Sequence, residues 1–275
     1  MRWKQFLTPV ESVTTENALS MLGSDENIQL VDVRQPAEYD EGHIAGAKHI
    51  PLGELLDRAN ELDKEKPVMV YCAIGGRSRV AAQLLSGNEF SKVYNLTGGF
   101  NIWEGWESIG DYDQGLEMFN GFESLEEVLI VAYRMEVALG DFYIDMASRV
   151  ANQEAASLFS KLAAIEAKHK RHVISQYTEL TGKDFPENVE VDGAFEGGLT
   201  TAEYISRLGA DMEKPLDILA FAMSVEGQAM DLYMRASEKA PDKKTQKALL
   251  QISSEEKAHL NSLAAVMDSL YASRE

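Results

Sequence analysis

Short β-branched runs and longer stretches with apolar residues at three- and four-residue steps divide the chain into two differently built parts. Residues 28–33 (IQLVDV) and 67–71 (PVMVY) read as strands, and with helical patterns near 53–62 and 78–86 they give β/α alternation. After Gly98-Gly99-Phe100 the text passes through GWESIGDYDQG, and from Ser124 onward it is almost all helix former. Four long helical patterns follow, at 124–150, 153–180, 214–239 and 243–272, with Pro215 and Pro241 suited to helix starts. Short connections make the first two and the last two helices antiparallel hairpins, and 181–213, with Gly182, Gly197 and Gly198, is a long crossover. The expected organisation is an α/β domain over 1–112, a linker over 113–122 and an all-α four-helix bundle over 123–275.

Composition supports two cores: 275 residues, 45% of them hydrophobic, suit two domains better than one. No apolar run approaches the ~20 residues of a membrane span, and MRWKQFLTPV lacks the apolar segment of a signal peptide. A soluble, cytoplasmic protein is therefore expected. A formal charge of -19 argues against nucleic acid and against an anionic membrane surface as partners. The single cysteine, Cys72, excludes an internal disulfide and any cysteine-based zinc or rubredoxin-type iron site.

Cys72 opens the segment CAIGGRS (Cys72, Ala73, Ile74, Gly75, Gly76, Arg77, Ser78) between the strand PVMVY and a helix. At such a junction backbone N–H groups converge on the sulfur, the helix N-terminus adds positive potential, and Arg77 adds a full charge. These lower a thiol pKa from ~8.5 and supply thiolate at neutral pH. The bland alternative is a small buried hydrophobe.

The motifs Asp32-Val33-Arg34, Glu38-Tyr39, Gly42-His43-Ile44-Ala45-Gly46-Ala47, Ile50-Pro51, Cys72-x-x-Gly75-x-Arg77 and Gly98-Gly99-Phe100-x-x-Trp103 resemble the rhodanese family across about the first 110 residues. The resemblance implies an α/β rhodanese-like domain and a Cys72 persulfide that accepts sulfane sulfur and passes it on. The six-residue span from Cys72 to Arg77 is similar to the sulfurtransferase loop, not to the longer loop of the related phosphatases. Asp32, Arg34, His43 and His49 read as structural. With no second thiol the persulfide cannot resolve internally, so its sulfur leaves to an external acceptor: a small thiol, cyanide or another protein.

In the helical part the apolar stripes carry polar members. Leu249, Ile252, Glu256, His259, Leu263, Val266 and Leu270 form one stripe, and Leu125, Val128, Leu129, Ala132, Glu136, Leu139 and Tyr143 another. Buried carboxylates are costly unless paired or metal-bound. Glu136 and Glu226 are 90 residues apart, as are Glu166 and Glu256, His169 and His259, Tyr143 and Tyr233, Ala132 and Ala222, and Asp141 and Asp231. The bundle thus reads as two copies of one helical hairpin. The same shift matches Glu255 with Ile165 and His172 with Ser262, so neither is chosen as a ligand.

Two Glu-x-x-His pairs and two single glutamates supply six ligands for two divalent ions: Glu136, Glu166, His169, Glu226, Glu256 and His259. About four negative charges then meet four positive ones, and an ion-free site is strained or partly protonated. Tyr143 and Tyr233 share the ligand face and are expected to donate hydrogen bonds to the ligands. Oxygen and nitrogen donors suit iron, manganese or zinc. No flavin, nicotinamide or haem site is recognised.

These residues resemble the rubrerythrin branch of the ferritin-like superfamily over roughly 122–272, which implies two iron ions and oxidoreductase chemistry with peroxide or dioxygen. Two departures stand out. The rubredoxin module is missing, which calls for an external electron donor, and Met223 stands where rubrerythrin has an additional glutamate. The leading expectation is a bifunctional redox protein, taking sulfur from a small-molecule donor to a thiol acceptor and assembling as a homodimer or small homo-oligomer. The alternatives are a rhodanese whose bundle only oligomerises it or binds metal as a sensor, and iron storage.

Overall fold

The computed structural model describes residues 10–24, 27–119, 124–191 and 201–272. The chain divides into two compact units, Met1–Tyr112 and Asp113–Glu275. Gly197 and Gly198, residues 120–122 of the expected linker and most of the N-terminal decapeptide lie outside the described residues.

The first unit runs β1 (Glu11–Val13), α1 (Thr15–Ser24), β2 (Gln29–Asp32), α2 (Pro36–Glu41), β3 (His43–Ile44), β4 (Lys48–His49), β5 (Val68–Tyr71), α3 (Gly76–Gly87), β6 (Val93–Leu96) and β7 (Glu107–Ser108). Five strands form a parallel sheet in the order β1-β6-β5-β2-β4, and β3 pairs with β7 separately, antiparallel. All four residues of β5 are buried, as expected of an inner strand of a sheet covered on both faces. Its neighbours β2 and β6 hold it in register, so Cys72 leaves the sheet from a rigid base.

The sequence misreads residues 53–62. No α-helix forms there; turns lead to a 3₁₀ segment, Ala59–Glu61. Most of its hydrogen bonds close over three residues, from Glu54 N to Pro51 O, Glu61 N to Arg58 O and Leu62 N to Ala59 O. Only Leu55 and Leu62 need burial, and Arg58 ties Glu54 to Glu61 across the turns. The helices α1 and α2 carry too short a periodic pattern to be anticipated.

The second unit is largely helical: α4 (Leu125–Arg149), α5 (Gln153–Thr181), α6 (Thr201–Leu208), α7 (Pro215–Lys239) and α8 (Lys243–Ala272). Side chains fix the starts. Ser124 Oγ accepts from Glu127 N, Asn152 Oδ1 from Glu154 N and Ala155 N, and Asp242 Oδ1 from Lys244 N and Thr245 N. Pro215 occupies the first turn of α7, whereas Pro241 precedes the Asp242 cap. α4 lies along α5 and α7 along α8, and lighter contacts of α4 with α8 and of α5 with α7 close the ring.

Every member of the α4 stripe is buried. In α8 the stripe ends early: Leu249, Ile252, Glu256 and Leu263 are buried, but Val266 is 43% exposed and Leu260 takes a core place instead. The long crossover contains α6, whose Tyr204 is buried edge-on against Phe221 of α7. A short 3₁₀ segment, Leu116–Phe119, also packs on α4 and α7. Among the described residues no helix is long and apolar enough to cross a membrane.

Candidate functional site

Gly75, with φ +91, caps α3 in the left-handed region and turns the chain from β5 over the sulfur. Its N–H donates to Cys72 Sγ at 3.1 Å, and Ser78 Oγ lies 3.5 Å from the same sulfur. Burial pushes the Cys72 thiol up, but hydrogen bonds from the Ser78 hydroxyl and from the N–H groups of Ser78, Ile74 and Gly75 outweigh it and hold the pKa below the ordinary thiol value. The residue is 1% exposed, while Ile74 on the loop crest is 71% exposed. Gly76 has open space around it and is not sterically required.

Arg77 is not a lone charge beside the sulfur. It forms a two-pronged ion pair with Glu38, both bonds 2.6 Å, which holds the Glu38 carboxyl down to about 2. The guanidinium also feels the Cys72 sulfur. Asp32 and Arg34 form a buried ion pair at 2.7 Å, and Arg34 also donates to Gly42 O and covers the Phe100 ring. His43 and His49 flank Tyr39 as stacked rings, His43 Nδ1 3.0 Å from Tyr39 O and His49 Nε2 3.1 Å from Arg34 O. These four residues brace the loops around the site.

Sequence reasoning missed the buckle beneath the loop. Phe100 N donates to Cys72 O and Asn101 N to Ala73 O, so the segment after β6 clasps the cysteine loop through backbone alone. Gly99 permits this: its φ is +62, and a Cβ there would overlap the Cys72 carbonyl oxygen. Asn95 was missed too; its Oδ1 accepts from Ser78 Oγ at 2.6 Å and orients that hydroxyl.

In the helical unit the six chosen residues converge as two triads, Glu136 with Glu166 and His169, and Glu226 with Glu256 and His259. His169 Nδ1 is 3.0 Å from Glu166 and 3.4 Å from Glu136; His259 Nδ1 is 2.9 Å from Glu256 and 3.7 Å from Glu226. The two imidazoles stack at 3.5 Å, which brings the triads together. All four carboxylates are buried.

Burial and the neighbouring charge of Glu226 push Glu256 well above the usual carboxylate range, and the same two causes raise Glu166. Burial also works against charge on His259, yet Glu226 and Glu256 push it up to about 10. Carboxylates crowded in this way need protons or cations.

In each triad the histidine Nδ1 stands 2.9–3.7 Å from both carboxylates, inside the about 4.2 Å that separates ligands on opposite sides of one ion at ~2.1 Å. The donor set of carboxylate oxygen and imidazole nitrogen therefore fits a divalent ion in each triad. Tyr143 is buried, and Tyr233 donates to Met135 Sδ at 3.6 Å, next to Glu136. Gly140 brings α4 close to α5, where an added Cβ would stand 3.3 Å from Glu166 Cβ. A cavity of about 520 Å³ exposes Glu136, His169, Glu256 and His259 and is rimmed by Lys168, His172 and Glu255.

Comparison with known proteins bears on the first unit. The rhodanese-like domain family matches residues 14–105. YqhL of Bacillus subtilis is 51% identical over 77 residues, 28% of this chain and 61% of that protein, so the chain spans less than two thirds of that relative. The thiosulfate sulfurtransferase GlpE of Coxiella burnetii is 41% identical over 85 residues, 31% of this chain and 79% of GlpE. The crystal structure of a rhodanese-like domain protein from Staphylococcus aureus, 32% identical, aligns over 34% of this chain and 91% of its own with a TM-score of 0.33. Through the unit built around Cys72, the chain belongs to the rhodanese family.

Proposed function

We propose that the first unit is a thiosulfate or persulfide sulfurtransferase. The observation that carries this reading is the convergence of Gly75 N–H and the Ser78 hydroxyl on Cys72 Sγ. The relative GlpE bears the matching name. The Cys72 thiolate attacks the outer sulfur of thiosulfate; the sulfur–sulfur bond of the donor breaks, sulfite leaves with its electron pair, and Cys72 becomes a persulfide anion. An acceptor thiolate or cyanide then attacks the terminal sulfur, and Cys72 departs as thiolate. No net electrons are exchanged. The N–H groups that hold the thiolate also suit the persulfide anion, and Arg77 supplies positive charge at the loop for an anionic donor.

We further propose that the second unit is a ferritin-like di-iron domain of the rubrerythrin type, with Glu136, Glu166, His169, Glu226, Glu256 and His259 as ligands. The two buried triads support it. Bound iron would supply electrons for the reduction of peroxide or dioxygen, and manganese or zinc would fit the same donors. The residues' own part is to hold a low-dielectric carboxylate cage, with a cavity large enough for a small oxidant and none of the cysteines of an internal electron donor.

Elemental mass spectrometry and a thiosulfate-to-cyanide assay test both halves. Expected are about two irons per chain retained by the parent after desalting, none in Glu166→Ala, Glu256→Ala, and thiocyanate formation that Cys72→Ser abolishes. No bound metal in the parent leaves a sulfurtransferase with a helical interaction domain. Thiocyanate formation that survives Cys72→Ser removes the persulfide reading.

A further inference from the structure

His172 of α5 and Glu255 of α8, which line the large cavity, meet Gln176 of α5 in a polar triangle. His172 Nε2 is 3.1 Å from Glu255 Oε1 and 3.0 Å from Gln176 Nε2, and Gln176 Nε2 is 2.9 Å from Glu255 Oε1. Gln251 Nε2 reaches the same carboxylate oxygen at 3.2 Å. One imidazole nitrogen cannot serve both neighbours of this triangle at once. A proton on Nε2 serves the carboxylate but points at the Gln176 amide hydrogens; a bare Nε2 serves the amide but faces the carboxylate.

Gln176 is 5% exposed, and its Oε1 has no hydrogen-bond partner among the described residues. The oxygen and nitrogen of a glutamine amide occupy nearly the same positions after a half turn. Turned over, the amide would present that unused oxygen to His172 and Glu255, giving three electron-pair donors about 3 Å apart. A divalent ion held at ~2.1 Å by three mutually perpendicular ligands separates them by about 3.0 Å. All three edges of the observed triangle lie close to that value.

The internal repeat isolates this feature. The 90-residue shift that superimposes the six glutamate and histidine positions puts Ser262, Val266 and Ile165 opposite His172, Gln176 and Glu255. The polar triangle is therefore no by-product of the duplicated hairpin. It sits where an ion from solvent would first be met: the His172 side chain is 54% exposed and that of Glu255 29%, whereas the triad carboxylates are 2–4% exposed. His172 and Glu255 line the same cavity as Glu136, His169, Glu256 and His259, with Lys168 as the cationic residue of that lining.

We propose that His172, Gln176 and Glu255 form a third, mononuclear site for a divalent transition-metal ion, a staging position at the mouth of the di-metal cavity. The staging role rests on the di-iron reading, whereas the site itself does not.

Anaerobic equilibrium dialysis of the full chain against Co²⁺, followed by elemental analysis, separates the two. Three ions are expected in the parent, two in His172→Ala, Gln176→Leu, and one in Glu166→Ala, Glu256→Ala. Two, two and none overturn the third site and leave the di-metal reading intact. One, none and one keep the rim site while the di-metal reading falls, and none throughout removes both. Should a variant fail to fold, anomalous diffraction at the cobalt edge from the parent decides: a peak within bonding distance of His172 Nε2 supports the site, and its absence overturns it.

Discussion

Replacing Ser78 with alanine probes how the fold activates its only cysteine. The hydroxyl lies 3.5 Å from Sγ and 2.6 Å from Asn95 Oδ1, and it has a single proton to divide between them. A hydrogen bond to a charged group is worth about 1.5–3 kcal/mol. At this long distance, with the proton shared, the lower end applies, and about 1.4 kcal/mol corresponds to one pKa unit. The Cys72 pKa in Ser78→Ala should therefore rise by about one unit.

Iodoacetamide alkylation across pH measures this directly, because no second thiol contributes to the rate. Well below both pKa values the thiolate population falls about tenfold, while the more basic thiolate gains roughly threefold in intrinsic nucleophilicity, so the net rate falls about threefold. Above both pKa values only the nucleophilicity term remains, and the variant becomes the faster protein. The two profiles should cross. Parallel profiles, or a midpoint that stays put or moves down, would refute the role given to the Ser78 hydroxyl and leave the backbone N–H groups as the activating device.

Gly99→Ala should cost about 3 kcal/mol or more in a urea melt of the first unit, since the added Cβ must displace the Cys72 carbonyl from a positive-φ backbone; an unchanged midpoint would dismiss the buckle. The Glu38 carboxyl, held down to about 2 by Arg77, gives stability that is present above its ordinary value near 4.5 and lost as pH falls through about 2. The pair is partly exposed, so Glu38→Gln should remove no more than about 1 kcal/mol at pH 7 and only a small part of that at pH 2, as thermal melts at the two pH values can check. In the helical unit, Arg235→Ala takes the guanidinium from the buried Asp231 at 2.7 Å and from Gln114 O, with an expected loss of about 3–5 kcal/mol by chemical denaturation. A loss under 1 kcal/mol would mean that this pair is solvated in solution.

Residues that announce themselves by type and period were legible in the sequence. Glu136 and Glu256 stand inside apolar stripes, and the duplicated hairpin repeats each polar intrusion at one fixed offset, so both triads could be written down before any coordinates. Cys72 was legible because it lies between an apolar strand and a glycine turn. The Phe100 and Asn101 donors to the cysteine loop are main-chain groups, and nothing in their side chains advertises them. Glu38 and Arg77 are 39 residues apart and meet only once the parallel sheet has formed, so the partner of the Arg77 charge could not be seen in the sequence. Residues 53–62 failed for a different reason: a few leucines at helical spacing satisfied the pattern, while local three-residue closures won the backbone.

The repeat also separates what the helical unit must do twice from what it does once. The six triad positions obey the 90-residue shift, and each triad has its own histidine with the two rings face to face. Symmetry fails where the cluster meets the outside. Gly140 corresponds to Met230, and a cavity of about 50 Å³ opens beside Gly140 toward Glu136 and Glu166, whereas Met230 is buried in the other half. At the larger opening Lys168, His172 and Glu255 correspond to Ala258, Ser262 and Ile165, so the polar rim too belongs to one side. A duplicated hairpin fixes two equivalent carboxylate–histidine triads at no cost in new sequence, and substitutions outside them can then make the two differ in access without altering either triad. The larger cavity reaches members of both triads, whereas the smaller one beside Gly140 reaches only Glu136 and Glu166, which gives that triad a second opening of its own. Filling Gly140 with alanine should therefore slow exchange at the Glu136 triad while leaving that at the Glu226 triad unchanged. Equal slowing at both, or none at either, would show that the small cavity is no separate entrance.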